Sequence, residues 1–426
     1  MVQKLLLLFK IKELKNKILF ILVIFGVFRI AANLPVPGVD SGEVERFFGS
    51  NQVFGLLNIF SGGALEQVSI VMLGLGPFIT ATIILQLMTM IFPKLKEIYQ
   101  EEGEQGRQKF NQYGRMLTVP LAALQGFSFI TLLTQQGVIE SLGKFDMFVT
   151  TLTVTAGAVF LMWLGELISE KGIGNGTSLM IFAGIVASVP LSVQQIIVTF
   201  TSDMIPTVIA FFVLAVVIIA GVVTVNEARR NIPVSYAKRV RGGKMFGGAN
   251  TFLPLNLNPA GVIPIIFALS IMLFPAMVAN FLQASSSAIA VKATSILYAF
   301  SQNTWLYGIA YFVLVVAFTY FYTAVTFNPQ NVANNLQKQG GFVPGIRPGK
   351  ATAEHLYYIL NRTLLIGALF LGGIAVLPSV IQGITGITAF TFLIGGTSVL
   401  IVVSVVLETV RQIDSQLIMR EYEGFK

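Results

Sequence analysis

A window of about 19 residues moved along the chain finds ten apolar stretches long enough to cross hydrocarbon as helices. They cover residues 18–34, 70–92, 116–133, 149–168 and 177–198, and then 204–225, 262–281, 305–327, 356–377 and 384–407. Polar connections separate them, and all ten read as helices. A cleaved signal peptide competes for residues 1–32, where a basic start precedes an apolar run. The run is long and has no clear small-x-small cleavage site, which favours a first span. An even number of spans divides into two sets of five. If the chain starts inside, the first set ends outside and the second begins there, so the halves 1–200 and 201–426 are antiparallel, joined near Ser202, Asp203 and Pro206.

Composition agrees with this pattern and removes whole classes of chemistry. The 426 residues are 54% hydrophobic and 11% charged, with a mean hydropathy of +0.78, against roughly 25% charged in an ordinary soluble domain. A soluble enzyme is excluded. There is no cysteine and a single histidine, His355. Disulfides, Cys-ligated zinc, iron–sulfur clusters and thiol nucleophiles are therefore absent, and neither a His-based metal site nor a catalytic triad can be assembled. No metal and no cofactor is expected.

The net charge of +8 is sorted along the chain. With the N-terminus in the cytoplasm, every lysine and arginine lies on the cytoplasmic side except Arg29 within the first span and Arg46, Lys144 and Lys292 outside. That asymmetry sets the orientation by the positive-inside rule, with both termini cytoplasmic. Two cytoplasmic connections are long, about 226–259 and 328–355, and connections of more than ~12–15 residues are usually functional or disordered. The first carries AKRVRGGK at 237–244 and the second FVPGIRPG at 342–349, a turn around Arg347. These basic clusters have two readings: contact with anionic lipid, or docking of a large acidic partner such as ribosomal RNA.

Two glycine-rich strings fail as nucleotide sites. GIRPGK at 345–350 has its glycines too close together, and Ala351 stands where a phosphate loop needs Ser or Thr. GIGNG at 172–176 lacks the third glycine of a dinucleotide fingerprint and lies between two spans. The segment GLLNIFSGGALEQVSI at 55–70 is too short and polar to cross, and reads either as a re-entrant element or as an interfacial helix. Within the spans the ionisable groups are Arg29 and Glu166, whereas ion-coupled transport needs such groups near the midplane. Neutral polar residues remain there, among them Thr80, Gln86, Gln125, Ser270 and Asn280, each able to hydrogen-bond between helices.

Nearly the whole chain resembles the SecY family of protein-conducting channels. The strings that carry the resemblance in combination are FRIAANLPVPGVD at 28–40, NIFSGGAL at 58–65, GEQGRQK at 103–109 and MWLGELISEKGIGNG at 162–176. They continue with YAKR at 236–239, NPAGVIPIIFA at 258–268, YTAVTFNP at 322–329, GGFVPGIRPG at 340–349 and GGTSVLIVV at 395–403.

The resemblance implies an all-α integral membrane protein: ten helices in two inverted five-helix halves, forming a clamshell around an hourglass pore. Its pore ring would comprise Leu75, Ile79, Thr177, Ile181, Ile266 and Ile401, with Thr177 departing from the aliphatic pattern. Either its hydroxyl bonds back one turn, or the ring is slightly more polar here. The plug would span about 56–67, with Leu57, Asn58, Ile59, Phe60, Ser61, Gly62, Gly63, Ala64 and Leu65 at its centre. Gln86, Gln125 and Ser270 would be polar contacts of a lateral gate between spans two and three and spans seven and eight, and Pro264 and Pro275 would let the seventh span bend. Arg239, Arg241, Lys244 and Arg347 would receive the ribosome or the SecA ATPase.

The other implied partners are the small membrane subunits SecE and SecG, signal sequences, unfolded secretory chains and membrane lipids, in the bacterial cytoplasmic membrane. The function implied is passage of unfolded secretory polypeptides across that membrane, with lateral release of hydrophobic segments into lipid. Two other classes compete. An inverted-repeat secondary transporter of a small solute would use Glu166 or Arg29. An intramembrane enzyme would need a Ser–His pair, paired aspartates or a metal cluster within the spans, and none is visible.

Overall fold

The computed structural model describes residues 11–36, 64–65, 67–100, 102–135, 137, 139, 143–199, 205–236, 239–241, 244–246, 250–272, 275, 278–279, 282, 288–385 and 396–423. A helix lies at each of the ten predicted spans: α1 Lys12–Ala32, α2 Gly76–Ile91, α4 Gly103–Gln135, α5 Lys144–Lys171 and α6 Gly176–Thr199, then α7 Ile205–Glu227, α8 Ile263–Met272, α10 Thr304–Thr326, α12 Lys350–Thr385 and α13 Gly396–Glu423. Three further helices, α3 Pro93–Gln100, α9 Ala288–Gln302 and α11 Pro329–Lys338, lie in the connections. Among the described residues five helices are by themselves long and apolar enough to cross a membrane. α2 and α3 together pass the same test but are bent by 117°, so α3 turns away instead of prolonging the span.

The second span starts later than its hydropathy suggests. Residues 70–75 form turns, and α2 begins only at Gly76. Gly74 takes the left-handed region at φ 56°, which glycine enters without steric cost. Pro77 then sits in the first helical turn, where its missing N–H costs nothing. The same reasoning corrects the seventh span. Pro264 is the second residue of α8, so it opens that helix and bends nothing. The third helix extends beyond its apolar run, since α4 begins thirteen residues earlier and carries Arg107, Lys109 and Arg115 ahead of the span.

The first long connection is not irregular. It forms strands β1 Arg229–Tyr236, β2 Arg239–Arg241, β3 Lys244–Phe246 and β4 Asn250–Asn256, while β5 Gly341–Phe342 comes from the second. β1 is the central strand, antiparallel to β4 with Arg229 opposite Asn256, and antiparallel to β5 with Tyr236 opposite Gly341. β2 and β3 make a separate hairpin. Ile232, Leu255 and Val343 from the sheet close a small apolar core over Leu356 and Ile359 of α12.

The main core runs through α1, α2, α5, α6, α7, α8, α10, α12 and α13. Much of what faces away from it is large and apolar, including Phe212, Val213, Val216 and Val217 on α7 and Leu365, Ile366 and Leu369 on α12. Such continuous exposed apolar surface is the complement of lipid tails, not of water.

Candidate functional site

Six helices, α2, α4, α5, α6, α8 and α10, enclose a cavity of about 350 Å³. It opens where α4 and α6 begin and α5 ends, and its mouth carries Arg115, Glu166, Glu170 and Asn175. Ile181 lies six residues beyond Asn175, about 9 Å deeper at 1.5 Å per residue. On α2, likewise, Ile79 lies deeper than Gln86. The cavity thus passes from a charged mouth to an apolar floor, lined by Ile79 and Ile181 from the N-terminal half and Ile266 from the C-terminal half.

Leu75, Ile181, Ile266 and Ile401 are buried members of one apolar cluster, with Ile79 packed against it. Ile401 is fully buried and Leu75 nearly so, and neither lines the cavity. Thr177 does line the wall. As the second residue of α6 it has no helical carbonyl one turn behind it, so the expected back-bond to the helix has no acceptor there. Phe267 and Tyr322 meet edge to face, centroids 6.0 Å apart, and fix α8 against α10 at the same wall.

The mouth is held by polar contacts. Arg115 Nε donates to Glu166 Oε1 at 2.6 Å, tying α4 to α5. The Ser169 hydroxyl donates to the Gly165 carbonyl and accepts the Gly176 N–H at 2.9 Å, while Asn175 Oδ1 accepts the Ser178 N–H. The string GELISEKGIGNG is therefore a tight helix-turn-helix whose second helix is capped by the first, and this accounts for its glycines without a nucleotide. Nearby, Lys109 Nζ donates to Glu102 at 2.9 Å. That hydrogen bond and the Glu102 charge raise the lysine pKa above its usual value.

Of the residues implied for the lateral gate, Gln86 is buried on the cavity wall and its Oε1 has no partner. Gln125 Nε2 stands 3.5 Å from Thr80 Oγ1, at the outer limit of a hydrogen bond. Ser270 donates to the Ile266 carbonyl of its own helix at 3.0 Å. α2, which carries Gln86, packs against both α4 and α8.

Leu57, Asn58, Ile59, Phe60, Ser61, Gly62 and Gly63 lie outside the described residues. Ala64 and Leu65 are buried, and the turn they begin is pinned beyond α1, with Val36 N–H donating to the Val68 carbonyl and Ile70 N–H to the Leu34 carbonyl. The basic residues Arg239 and Arg241 on β2 and Lys244 on β3 sit on one hairpin, Arg241 opposite Lys244. Arg347 is exposed in the turn after β5, and its carbonyl accepts the Thr352 hydroxyl at 2.9 Å. Through the β1–β5 pairing the two long connections are joined in one sheet.

A bundle of apolar helices around a cavity with a charged mouth and an apolar floor is the architecture of a helical membrane channel. Solved protein-conducting channels share its fold. The chain superposes with a TM-score of 0.61 at 18% identity on the structure of a protein-conducting channel, covering 92% of this chain and 90% of that one. Against a SecY structure solved to study how its plug domain stabilises the closed state the TM-score is 0.63, at 19% identity and the same coverage.

Sequence adds the family. The SecY family model matches residues 69–410. The chain is 41% identical to protein translocase subunit SecY of Corynebacterium glutamicum, over 98% of both chains, and 44% identical to that of Streptomyces scabiei, also over 98% of both. The chain belongs to the SecY family. That membership sets aside the small-solute transporter.

Proposed function

We propose that this chain, a protein-translocase channel subunit by family, passes unfolded secretory polypeptides through the cavity floor and releases hydrophobic segments sideways between α2 and α8. The observation that carries the reading is that Ile79, Ile181 and Ile266, from both halves of the chain, line one cavity floor beneath a charged mouth. A translocating backbone needs a wet path, because each unsatisfied N–H or C=O in hydrocarbon costs several kcal/mol. An idle path must not conduct ions, and a narrow apolar constriction meets that need by dewetting. Leu75, Ile79, Thr177, Ile181, Ile266 and Ile401 make up the pore ring, with Ile79, Thr177, Ile181 and Ile266 on the cavity and Leu75 and Ile401 packed behind them. Residues 56–67 plug the outer side, and Gln86, Gln125 and Ser270 lie along the lateral opening.

The halves 1–200 and 201–426 act as the two shells of a clamshell in the bacterial cytoplasmic membrane, both termini inside, as the lysine and arginine asymmetry favours. The β2–β3 hairpin and the Arg347 turn receive the ribosome or the SecA ATPase. A structural relative supports the first of these: Sec61 in a canine ribosome-channel complex shares the fold at a TM-score of 0.57. SecE and SecG complete the assembly. Energy comes from the docked partner, since the chain's glycine-rich strings are turns.

The test is reconstitution of the chain with SecE, SecG and SecA in liposomes, scored by protection of a secretory precursor from added protease. ATP-dependent protection supports the reading. Uptake of a small solute without protection of the precursor overturns it.

A further inference from the structure

A polar node on three elements lies outside everything assigned above. Asn226, near the end of α7, donates from Nδ2 to Ser404 Oγ on α13 at 2.6 Å. Its Oδ1 accepts Asn258 Nδ2 at 3.1 Å, and the same Asn258 nitrogen donates to the Gly261 carbonyl at 3.1 Å, in the turn that leads into α8. Arg411, two turns further along α13, donates from Nη2 to the Asn226 carbonyl at 2.9 Å and from Nε to Glu227 Oε1 at 3.0 Å. Asn258 is buried, and its Oδ1 has no partner. The amide nevertheless has only one workable orientation, because turning it over would set two oxygens against each other at Asn226.

The placement relates the node to the constriction. Ser404 lies one turn beyond Ile401 on α13, and Asn258 and Gly261 lie just before Ile266 on α8. The sheet is tied in as well, since β1 starts two residues after Glu227 and Leu257 N–H donates to the Ala228 carbonyl at 2.9 Å.

We infer that Asn226, with Asn258, Ser404 and Arg411, is a positioning device for the seal: it fixes the two C-terminal ring helices relative to each other, so that Ile266 and Ile401 meet in the idle channel. None of the four side chains lines the cavity, so each acts through the isoleucines. Apolar side chains alone set no register between helices that are apolar all round, as α8 is. A directional hydrogen-bonded bridge does. The inference rests on the constriction proposed above.

The experiment is single-channel recording of the reconstituted full-length chain with its membrane subunits, without any translocating polypeptide. Asn226→Leu, similar in shape and without the amide, is expected to raise idle ion conductance about tenfold, the population shift that one or two lost hydrogen bonds produce. Asn226→Asp is expected to stay sealed, because its carboxylate accepts from both Asn258 Nδ2 and the Ser404 hydroxyl, with Arg411 beside it. If Asn226→Leu does not insert, Ser404→Ala decides, with a smaller rise expected. An inserted Asn226→Leu or Ser404→Ala channel as tight as the unaltered one overturns the inference, as does an Asn226→Asp channel that leaks as much as Asn226→Leu. Ile266→Gly, in the cavity floor, serves as the control. If that variant also stays tight, the constriction itself is wrong; if it leaks while the node variants do not, only the node fails.

Discussion

Arg115 on α4 and Glu166 on α5 form an ion pair of 2.6 Å at the rim of the cavity, the side chains 43% and 20% exposed. A transporter would spend such a pair on a coupling ion. Here it braces two helices of the N-terminal half beside the exposed mouth of the cavity. Glu166→Gln should therefore lower stability by about 1 kcal/mol, the scale of a partly exposed charge-assisted contact, and leave polypeptide passage nearly unchanged. Thermal melting in detergent and a protease-protection assay on the same preparation check both halves of the prediction.

The constriction makes the sharper prediction. Replacing Ile79, Ile181, Ile266 and Ile401 together with Gly removes the apolar side chains from the floor and from directly behind it. Idle conductance should rise strongly, since a wide and wettable constriction no longer excludes ions. Planar-bilayer recording gives the answer, and unchanged conductance would withdraw the ring.

Thr177 refines that account. The residue lines the cavity wall at the start of α6, where the helix offers its hydroxyl no acceptor behind it. Thr177→Val keeps the shape and removes the hydroxyl. It should lower residual idle conductance without slowing passage, and a rise in conductance would show that the hydroxyl is structural.

Most of the helical framework is legible in the sequence, because about 20 consecutive apolar residues have few alternatives to spanning a membrane. Where it misleads, hydropathy has been asked for information it does not hold. The run from Ile70 is apolar throughout, yet the helix waits for Gly76, since Gly74 and Pro77 govern backbone dihedrals and not transfer energy. The sheet is missed for a different reason. Pro233 argues against a central strand, but β5 pairs only with Ser235 and Tyr236, so at Pro233 the strand has one neighbour and no second ladder to satisfy. The alternation of Ile232 and Val234 with exposed neighbours is the signal that was present. The Arg115–Glu166 pair and the Asn226 node join residues far apart in the chain, and one-dimensional patterning carries no trace of such pairings.

A close approach of backbone explains one glycine in α5. A Cβ at Gly157 would collide with the Ile70 carbonyl, so the turn before α2 lies directly on this helix. Gly157→Val should cost about 1–3 kcal/mol, as overpacked interiors do. Lower yield and a lower melting temperature are expected, and an unaffected Tm would mean that the turn can move away.

Arg347 is exposed in the turn after β5, the strand whose pairing with β1 joins the two long connections. Arg347→Glu should weaken partner-driven export and leave insertion and melting unchanged, because its side chain makes no hydrogen bond or ion pair among the described residues. Export at the unaltered rate, measured with SecA and ATP in membrane vesicles, would reduce this arginine to a lipid contact.

The central claim is that one polypeptide path runs through the floor of the cavity. It is tested most directly by photocrosslinkers placed singly at Ile79, Ile181, Ile266 and Ile401, with a secretory chain stalled during translocation in membrane vesicles. Crosslinks from all four positions are expected, since opening must turn even the buried Ile401 towards the passing chain. A stalled chain that is engaged by the complex yet reaches none of the four would contradict the account, and these isoleucines would then be ordinary packing residues.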